Sequence, residues 1–272
     1  MYESYWRLNS KPFESGGDTR LYYPAESHQA ALLKLRYAIE SQRHAALLAG
    51  EPGTGKSLLV RMLAQQLPER YRPVVHFDFP QLPAAELVTA LAARLDPAQG
   101  PAASSLAEAV ERIQRTLADN AAQGRHAVVA IDDAHLLDDG RAFDALRLLM
   151  NFEAAARPVL TILFVGQPCL ASTIERKTSL DERIASKCLL RPLSLDETTA
   201  YVEHRLRAAG ATRSIFEADA LEALFYLTQG VPRRIHRLAD LALLIGFAEE
   251  RPTVAAAQVE AVAQELLVAV AA

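Results

Sequence analysis

The residues Gly50-Glu51-Pro52-Gly53-Thr54-Gly55-Lys56-Ser57 satisfy G-x-x-x-x-G-K-[ST] at every defined position, and the chemistry in that spacing is phosphate binding. Glycines let backbone N–H groups curl around phosphate oxygens, and the N-terminus of a following helix adds positive potential. Lys56 supplies a mobile cation, and the Ser57 hydroxyl can ligate Mg²⁺. The motif carries this meaning only between a strand and a helix. Residues 44–49 read as a short buried strand, and Leu58, Leu59, Met62 and Leu63 recur at helical spacing on the other side. A nucleoside triphosphate site is therefore expected. The ordinary alternative is a glycine-rich turn with a surface lysine.

Residues 127–131 form an uninterrupted apolar run that ends in Asp132-Asp133, in the manner of a Walker B segment. A carboxylate at the C-terminal end of such a strand, beside a phosphate loop, can hold Mg²⁺ directly or through water, and a second can orient an attacking water. Asp132 is assigned to the metal and Asp133 to the water, against the alternative that the pair caps the following turn. His135 reads as a supporting or packing residue. Another apolar run, 159–165, ends in Gly166-Gln167-Pro168. If its strand lies between the two motif strands, Gln167 is a candidate γ-phosphate sensor; otherwise it is a turn residue. Arg183, just ahead of the last strand-like run, suits either completion of a neighbouring subunit's site or a surface ion pair. Arg233 lies in the first turn of a helix opened by Gly230-Val231-Pro232, where the helix dipole disfavours a cation. A bound phosphate is its fitting ligand, and a solvated surface position is the alternative.

The elements that must position these groups follow from periodicity. Strand-like runs at 44–49, 74–79, 127–131, 159–165 and 187–190 are separated by helical patterns at 57–67, 84–95, 105–122 and 141–156. Residues 96–105, with Pro97, Gly100 and Pro101, read as a loop. Such alternation implies a parallel sheet covered by helices on both faces. After Pro192 only helices are expected, at 195–209, 217–228, 232–248 and 254–270, with Gly210 and Gly230 as stops. The expected organisation is an α/β nucleotide-binding domain over 1–193, with an N-terminal extension over 1–28, and a helical domain over 194–272.

Half of the 272 residues are hydrophobic and the net charge is −4, so the chain is globular and exerts no general pull on nucleic acid or anionic lipid. From Ser194 onward 7 Lys/Arg face 11 Asp/Glu, which makes the helical part a poor candidate for wrapping DNA by charge alone. Cys169 and Cys188 stand far apart, with no His or Cys at metal-ligand spacing, which points to a reduced cytoplasmic setting rather than a disulfide framework. Glu3, Arg7 and Lys11 interrupt the N-terminus, and no apolar window approaches the roughly 18 residues of a membrane span. Neither a secretory signal nor a transmembrane segment is expected.

Taken in order, the phosphate loop, Asp132-Asp133, Gln167, Arg183 and the Gly-x-Pro-Arg element at Gly230 resemble an AAA+ ATPase, from Walker A through sensor 2. More narrowly, Tyr5-Trp6-Arg7-Leu8, Lys11-Pro12-Phe13, Tyr22-Tyr23 and Ser27-His28 are similar to the opening of the ExeA-type ATPases associated with general secretion pathways. Arg191-Pro192-Leu193 with Glu197-Thr198, Tyr201 with His204-Arg205-Leu206, and Gly230 to Leu238 continue that similarity over nearly the whole chain. The resemblance implies a five-strand P-loop α/β domain with a C-terminal helical lid, ATP and Mg²⁺ as ligands, and Tyr23 and His28 bordering the adenine. It also implies a homo-oligomeric ring such as a hexamer, a protein substrate or membrane partner, and a cytoplasmic place that reaches the inner membrane through a partner. Family members usually carry Glu where this chain has Asp133, which leads to an expectation of slow hydrolysis. Many also continue into a transmembrane helix and a periplasmic peptidoglycan-binding region that these 272 residues do not include. A similar core serves transposition helpers, so two further readings stay open: an ATP-dependent DNA-binding scaffold and a weakly hydrolysing nucleotide-gated adaptor.

Overall fold

Three of the apolar runs become strands with every residue buried: β1 (Ala45–Gly50), β3 (Ala127–Ile131) and β6 (Leu160–Gly166). Full burial of this kind belongs to central strands of a parallel sheet, which have no solvent face to keep polar. A computed structural model describes residues 1–14, 21–99, 103–137 and 140–271, so Gly100 and Pro101 of the expected loop lie outside the described residues. In chain order the remaining elements are α1 (Glu3–Trp6), α2 (Glu26–Glu40), α3 (Lys56–Gln66), β2 (Val74–Phe77), α4 (Ala84–Leu95), α5 (Leu106–Ala122) and α6 (Gly140–Leu149). They continue with β4 (Glu153–Ala154), β5 (Arg157–Pro158), α7 (Cys169–Glu175), α8 (Thr178–Asp181), β7 (Ile184–Leu190), α9 (Leu195–Ala208), α10 (Ala218–Thr228), α11 (Pro232–Ala248) and α12 (Ala256–Ala271). Among these, no helix is long and apolar enough to cross a membrane.

The described chain forms two compact units. One consists of Glu26–Glu51 and Leu59–Leu190, the other of Met1–Ala25, Pro52–Leu58 and Arg191–Ala272. This division differs from the sequence-based boundaries, because the N-terminal segment and most of the phosphate loop belong to the helical unit.

The α/β unit is built on a five-stranded sheet of order β2-β3-β6-β1-β7, parallel throughout. β6 lies between the two motif strands, with Gly166 level with Ala49 on one side and Phe164 level with Ile131 on the other. Leu47, Phe77, Leu91, Ile113 and Phe164 are among the buried side chains that fill the core. The N-terminal ends of the central strands are tied by a polar relay: the Thr161 hydroxyl donates to the Arg43 carbonyl at 2.6 Å, and His126 Nε2 lies 2.8 Å from that hydroxyl. Burial pushes His126 down to about 4, so it is neutral there and donates through Nε2.

The expected helix over 141–156 is shorter than its pattern. It ends at Leu149, and residues 153–158 form the antiparallel pair β4–β5 across Ala155 and Ala156. Both alanines hold positive φ, 50° and 58°, the two-residue geometry that matches strand twist. No Asn-Gly or Asp-Gly signal announces it.

In the helical unit, α9 to α12 share one core with the N-terminal segment. Trp6 is 1% exposed and its indole N–H donates to the Leu243 carbonyl at 3.0 Å. Gly246 makes room for it, since a Cβ there would stand 2.9 Å from Trp6 Cζ2. The Tyr5 hydroxyl donates to the Arg251 carbonyl at 2.7 Å, and the Tyr2 hydroxyl to Asp240. Buried Arg205 reaches from α9 to the carbonyls of Pro12 and Glu14, at 2.6 and 3.2 Å. Tyr201 and His236 stack with ring planes 2° apart and share a hydrogen bond. Burial pushes Tyr201 up to about 12 and His236 down to about 3, which leaves both neutral.

Trp6→Ala removes the largest fully buried side chain of the N-terminal segment and the indole hydrogen bond to the Leu243 carbonyl. It is expected to destabilise the protein by about 3–5 kcal/mol, read as a lowered midpoint in urea unfolding. An unchanged midpoint would show that the segment contributes no packing energy.

Candidate active site

Asp132 follows directly on β3, and its position is fixed from several sides. Its N–H donates to the Phe77 carbonyl at 2.8 Å, its Oδ1 accepts the Asp133 N–H at 3.0 Å, and its Oδ2 lies 3.0 Å from His76 Nε2. His76 escaped the sequence analysis. The signal was the alternation in β2, where Val75 and Phe77 are buried and His76 points the other way. A carboxylate held on both oxygens is pre-oriented, and such supporting partners commonly fix metal-binding groups.

Asp133 stands in the left-handed region, with φ 47° and ψ 35°, and starts the short 3₁₀ turn Ala134–Leu136. Its side chain is 54% exposed and Oδ1 lies 3.9 Å from His135 Nδ1. The capping alternative fails for Asp133, because its side chain makes no cap hydrogen bond. His135 Nδ1 accepts the backbone N–H of Gln167 at 3.4 Å, and a Cβ on Gly166 would stand 3.1 Å from that nitrogen. The glycine therefore permits the approach. One end of the sheet thus gathers Asp132, Asp133, His135 and Gln167, next to Gly50, where β1 opens into the phosphate loop.

Within the helical unit, the loop from Pro52 to Leu58 meets the start of α11. Gly53 and Gly55 hold positive φ, 86° and 99°, conformations that cost a residue with a side chain. The N-cap of α11, Val231, has no side-chain cap. The Gly53 carbonyl does that work by accepting the Arg233 N–H at 3.2 Å, one of the first-turn donors that a helix leaves unpaired. A Cβ at Gly53 would lie 2.7 Å from Arg233 Cβ and 3.2 Å from Val231 Cγ1. Thr54 and Lys56 are buried and the Arg233 side chain is exposed.

These residues fit a nucleoside triphosphate with Mg²⁺: the left-handed glycines turn the loop as phosphate binding requires, and Lys56 and Ser57 open α3. Among the described residues no cluster of three or more His, Cys, Asp or Glu forms a metal cage. Mg²⁺ needs none, because it keeps waters and takes one or two protein oxygens beside phosphate.

Other candidates lie elsewhere. Arg183 precedes β7 and so sits at the sheet end opposite Asp132. It donates to the Arg147 carbonyl at 3.2 Å and to Asn151 Oδ1 at 2.6 Å, at the C-terminal end of α6, where a cation is favoured. Tyr23 belongs to the helical unit, edge-on to Tyr201 at 5.7 Å and 5.6 Å from His204. His28 is buried on α2 in the α/β unit, with Nδ1 3.4 Å from the Ser27 hydroxyl.

A family model for the AAA domain matches residues 39–174. The chain belongs to the AAA family. General secretion pathway protein A of Aeromonas hydrophila is 34% identical over 252 residues, which cover 91% of this chain and 45% of that protein. The chain thus spans less than half the length of this relative. The ORC2 protein of Aeropyrum pernix, solved as ADPNP-ADP complexes, matches with a TM-score of 0.69 at 14% identity, over 94% of this chain and 72% of that one. RuvB of Thermotoga maritima, a Holliday junction branch migration motor, matches with a TM-score of 0.61 at 19% identity, over 89% of this chain and 69% of that one. The fold is that of the AAA+ P-loop ATPases, a five-strand parallel sheet with flanking helices, as the sequence implied.

For this AAA protein the loop geometry has a direct consequence. Gly53→Ala meets both the left-handed backbone and the Arg233 Cβ, and it is expected to weaken ATP binding by about tenfold or more, since the strain alone costs roughly 1–2 kcal/mol. Calorimetric titration of the variant checks this. Parent affinity together with a parent unfolding midpoint would mean that the loop relaxes without cost.

Proposed function

We propose that the protein binds ATP with Mg²⁺ and hydrolyses it, using the cycle to change the conformation of a homo-oligomer. The observation that carries this reading is the arrangement at the end of the sheet, where Asp132 is fixed, Asp133 is exposed and Gln167 directly follows β6, the strand between β3 and β1. ATP supplies the phosphoryl group and Mg²⁺ its charge neutralisation; the protein's part is positioning and electrostatics. Gly50 to Gly55 cradle the phosphates through backbone N–H groups, and Lys56 neutralises them. Ser57 and Asp132 hold Mg²⁺. Asp133 orients the attacking water, Gln167 senses the γ-phosphate and Arg233 couples the nucleotide to the helical lid. Tyr23 and His28 border the adenine, a role that rests on the family resemblance. Arg183 completes a neighbour's site, for which it must exchange its bonds at the end of α6 for the partner's nucleotide.

The pathway follows the relative: a role in secretion or pilus-type envelope assembly, on the cytoplasmic side of the inner membrane, through a protein or membrane partner. It is supported by 34% identity to General secretion pathway protein A over 91% of this chain. A second reading, a nucleotide-gated adaptor with slow turnover, is favoured by Asp133 itself. Its carboxylate is withdrawn by roughly 1.5 Å relative to a glutamate, and misplacement of about 1 Å costs on the order of 10²-fold in rate.

Lys56→Ala is expected to abolish ATP binding measured by calorimetry, with circular dichroism confirming the fold. Wild-type affinity in this variant would remove the energetic basis of the phosphate site.

Asp133 separates the two readings. Asp133→Asn is expected to lower kcat, and Asp133→Glu to raise it by restoring reach. The glutamate variant also loses stability, because the left-handed backbone tolerates aspartate better than longer side chains. MgATP affinity stays near the parent value in both, since Ser57 and Asp132 set it. Phosphate release at saturating ATP reads the outcome, and unchanged turnover in both variants would exclude Asp133 as the water-positioning group.

A further inference from the structure

His135 has no role in the assignment above, yet it touches both strand tips that the chemistry needs. The left-handed turn at Asp133 and the 3₁₀ turn after it bring residue 135 back against the end of β6. Its side chain is 10% exposed, and its backbone N would lie 3.3 Å from a Cβ on Gly166. One ring atom makes both approaches: Nδ1 is 3.4 Å from the Gln167 amide nitrogen and 3.9 Å from Asp133 Oδ1.

A single ring nitrogen cannot serve both neighbours at once. To receive the Gln167 N–H, Nδ1 must present its lone pair, so the ring is neutral and its proton sits on Nε2. In that tautomer Nδ1 has no hydrogen to give Asp133, and the carboxylate keeps its oxygens for water. The opposite tautomer, or the imidazolium, would bond Asp133 and release the Gln167 amide. The observed amide contact selects the first arrangement.

We infer that His135 is a positioning residue for hydrolysis: its Nδ1 anchors the Gln167 backbone to the turn that carries Asp133, and so sets the spacing between the water-orienting carboxylate and the sensor strand. This rests on the proposed ATPase reading. His135 touches neither nucleotide nor water in this role and acts through its two neighbours. The shortened carboxylate makes the spacing matter more, because Asp133 has less reach with which to absorb an error.

The test uses the full chain with His135→Ala and His135→Asn, since an asparagine Oδ1 falls near the place of Nδ1 and can accept the same amide. His135→Ala is expected to lower kcat for ATP about tenfold or more, with KM for MgATP within about twofold of the parent. His135→Asn is expected to recover most of the loss. Two readouts on the nucleotide-free protein stand apart from turnover. Imidazole ¹⁵N shifts should show Nε2 protonated and Nδ1 bare, and hydrogen exchange at the Gln167 amide should quicken in His135→Ala but not in His135→Asn.

Turnover in His135→Ala within twofold of the parent, equal losses in both variants, or a proton on Nδ1 would each overturn the inference. If the parent chain itself does not hydrolyse ATP, the ATPase reading fails separately, and the tautomer and Gln167 exchange still decide whether His135 anchors the strand tip. Should His135→Ala unfold, His135→Asn and the tautomer carry the decision.

Discussion

The absence of a side chain at Gly53 is what lets the phosphate loop meet the start of α11. Its carbonyl replaces the side-chain cap that Val231 cannot give α11, and a single methyl group there would collide with Arg233. A second glycine repeats the device one step away: the Gly230 carbonyl accepts the Leu193 N–H at 2.9 Å, and a Cβ at Gly230 would stand only 1.9 Å from the Leu193 carbonyl oxygen. Next along the chain, Ser194 and Glu197 close a capping box on α9, and Arg191 Nη1 grips the Glu197 carboxylate at 2.6 Å. Phosphate loop, start of α11 and start of α9 are thus linked backbone to backbone. Links of this kind tolerate little relaxation, because neither glycine can take a Cβ without moving its neighbour.

At the tip of β3 the constraint is conformational. Left-handed backbone is rare for residues with side chains, and aspartate is among the few that enter it routinely. Asp133 is in that region while its predecessor accepts its N–H, so the turn is set by local geometry rather than by a cap. Aspartate suits such a turn. Reach is the cost. Asp132 shows the complementary solution, with low exposure and both oxygens held, which suits a group proposed to hold a metal.

Much of this was legible in the sequence because the signals are local. The run at 127–131 coincides with β3, the helical pattern at 84–95 with α4 and that at 232–248 with α11. The positions of the phosphate loop and the carboxylate pair follow from the same runs. What could not be read depends on partners distant in the chain. Tyr5 and Trp6 were recognised only as part of a family resemblance; their place in the core of the helical unit comes from Leu243, Gly246 and Arg251, more than 200 residues away by sequence number. The hairpin at 153–158 hid within a helical pattern because two alanines, good helix formers, occupy its left-handed turn. His76 was invisible as a site residue until β2 paired with β3 and brought it to Asp132.

At Arg233 the backbone and the side chain stand in different situations. The amide is committed to Gly53, while the guanidinium is left exposed in the first turn of a helix with no acidic residue there. A cation at that place opposes the helix dipole at a cost of about 0.3–1 kcal/mol. The bond to Gly53 holds the residue there nonetheless, beside the loop to which a triphosphate is assigned. A phosphate oxygen bound near the guanidinium would turn the unfavourable position into a favourable one. The same residue would then report loop geometry through its amide and ligand charge through its side chain. Such a pairing would let a nucleotide state bias a helix, because loop and helix share a hydrogen bond and a bound phosphate would alter the charge balance at that junction.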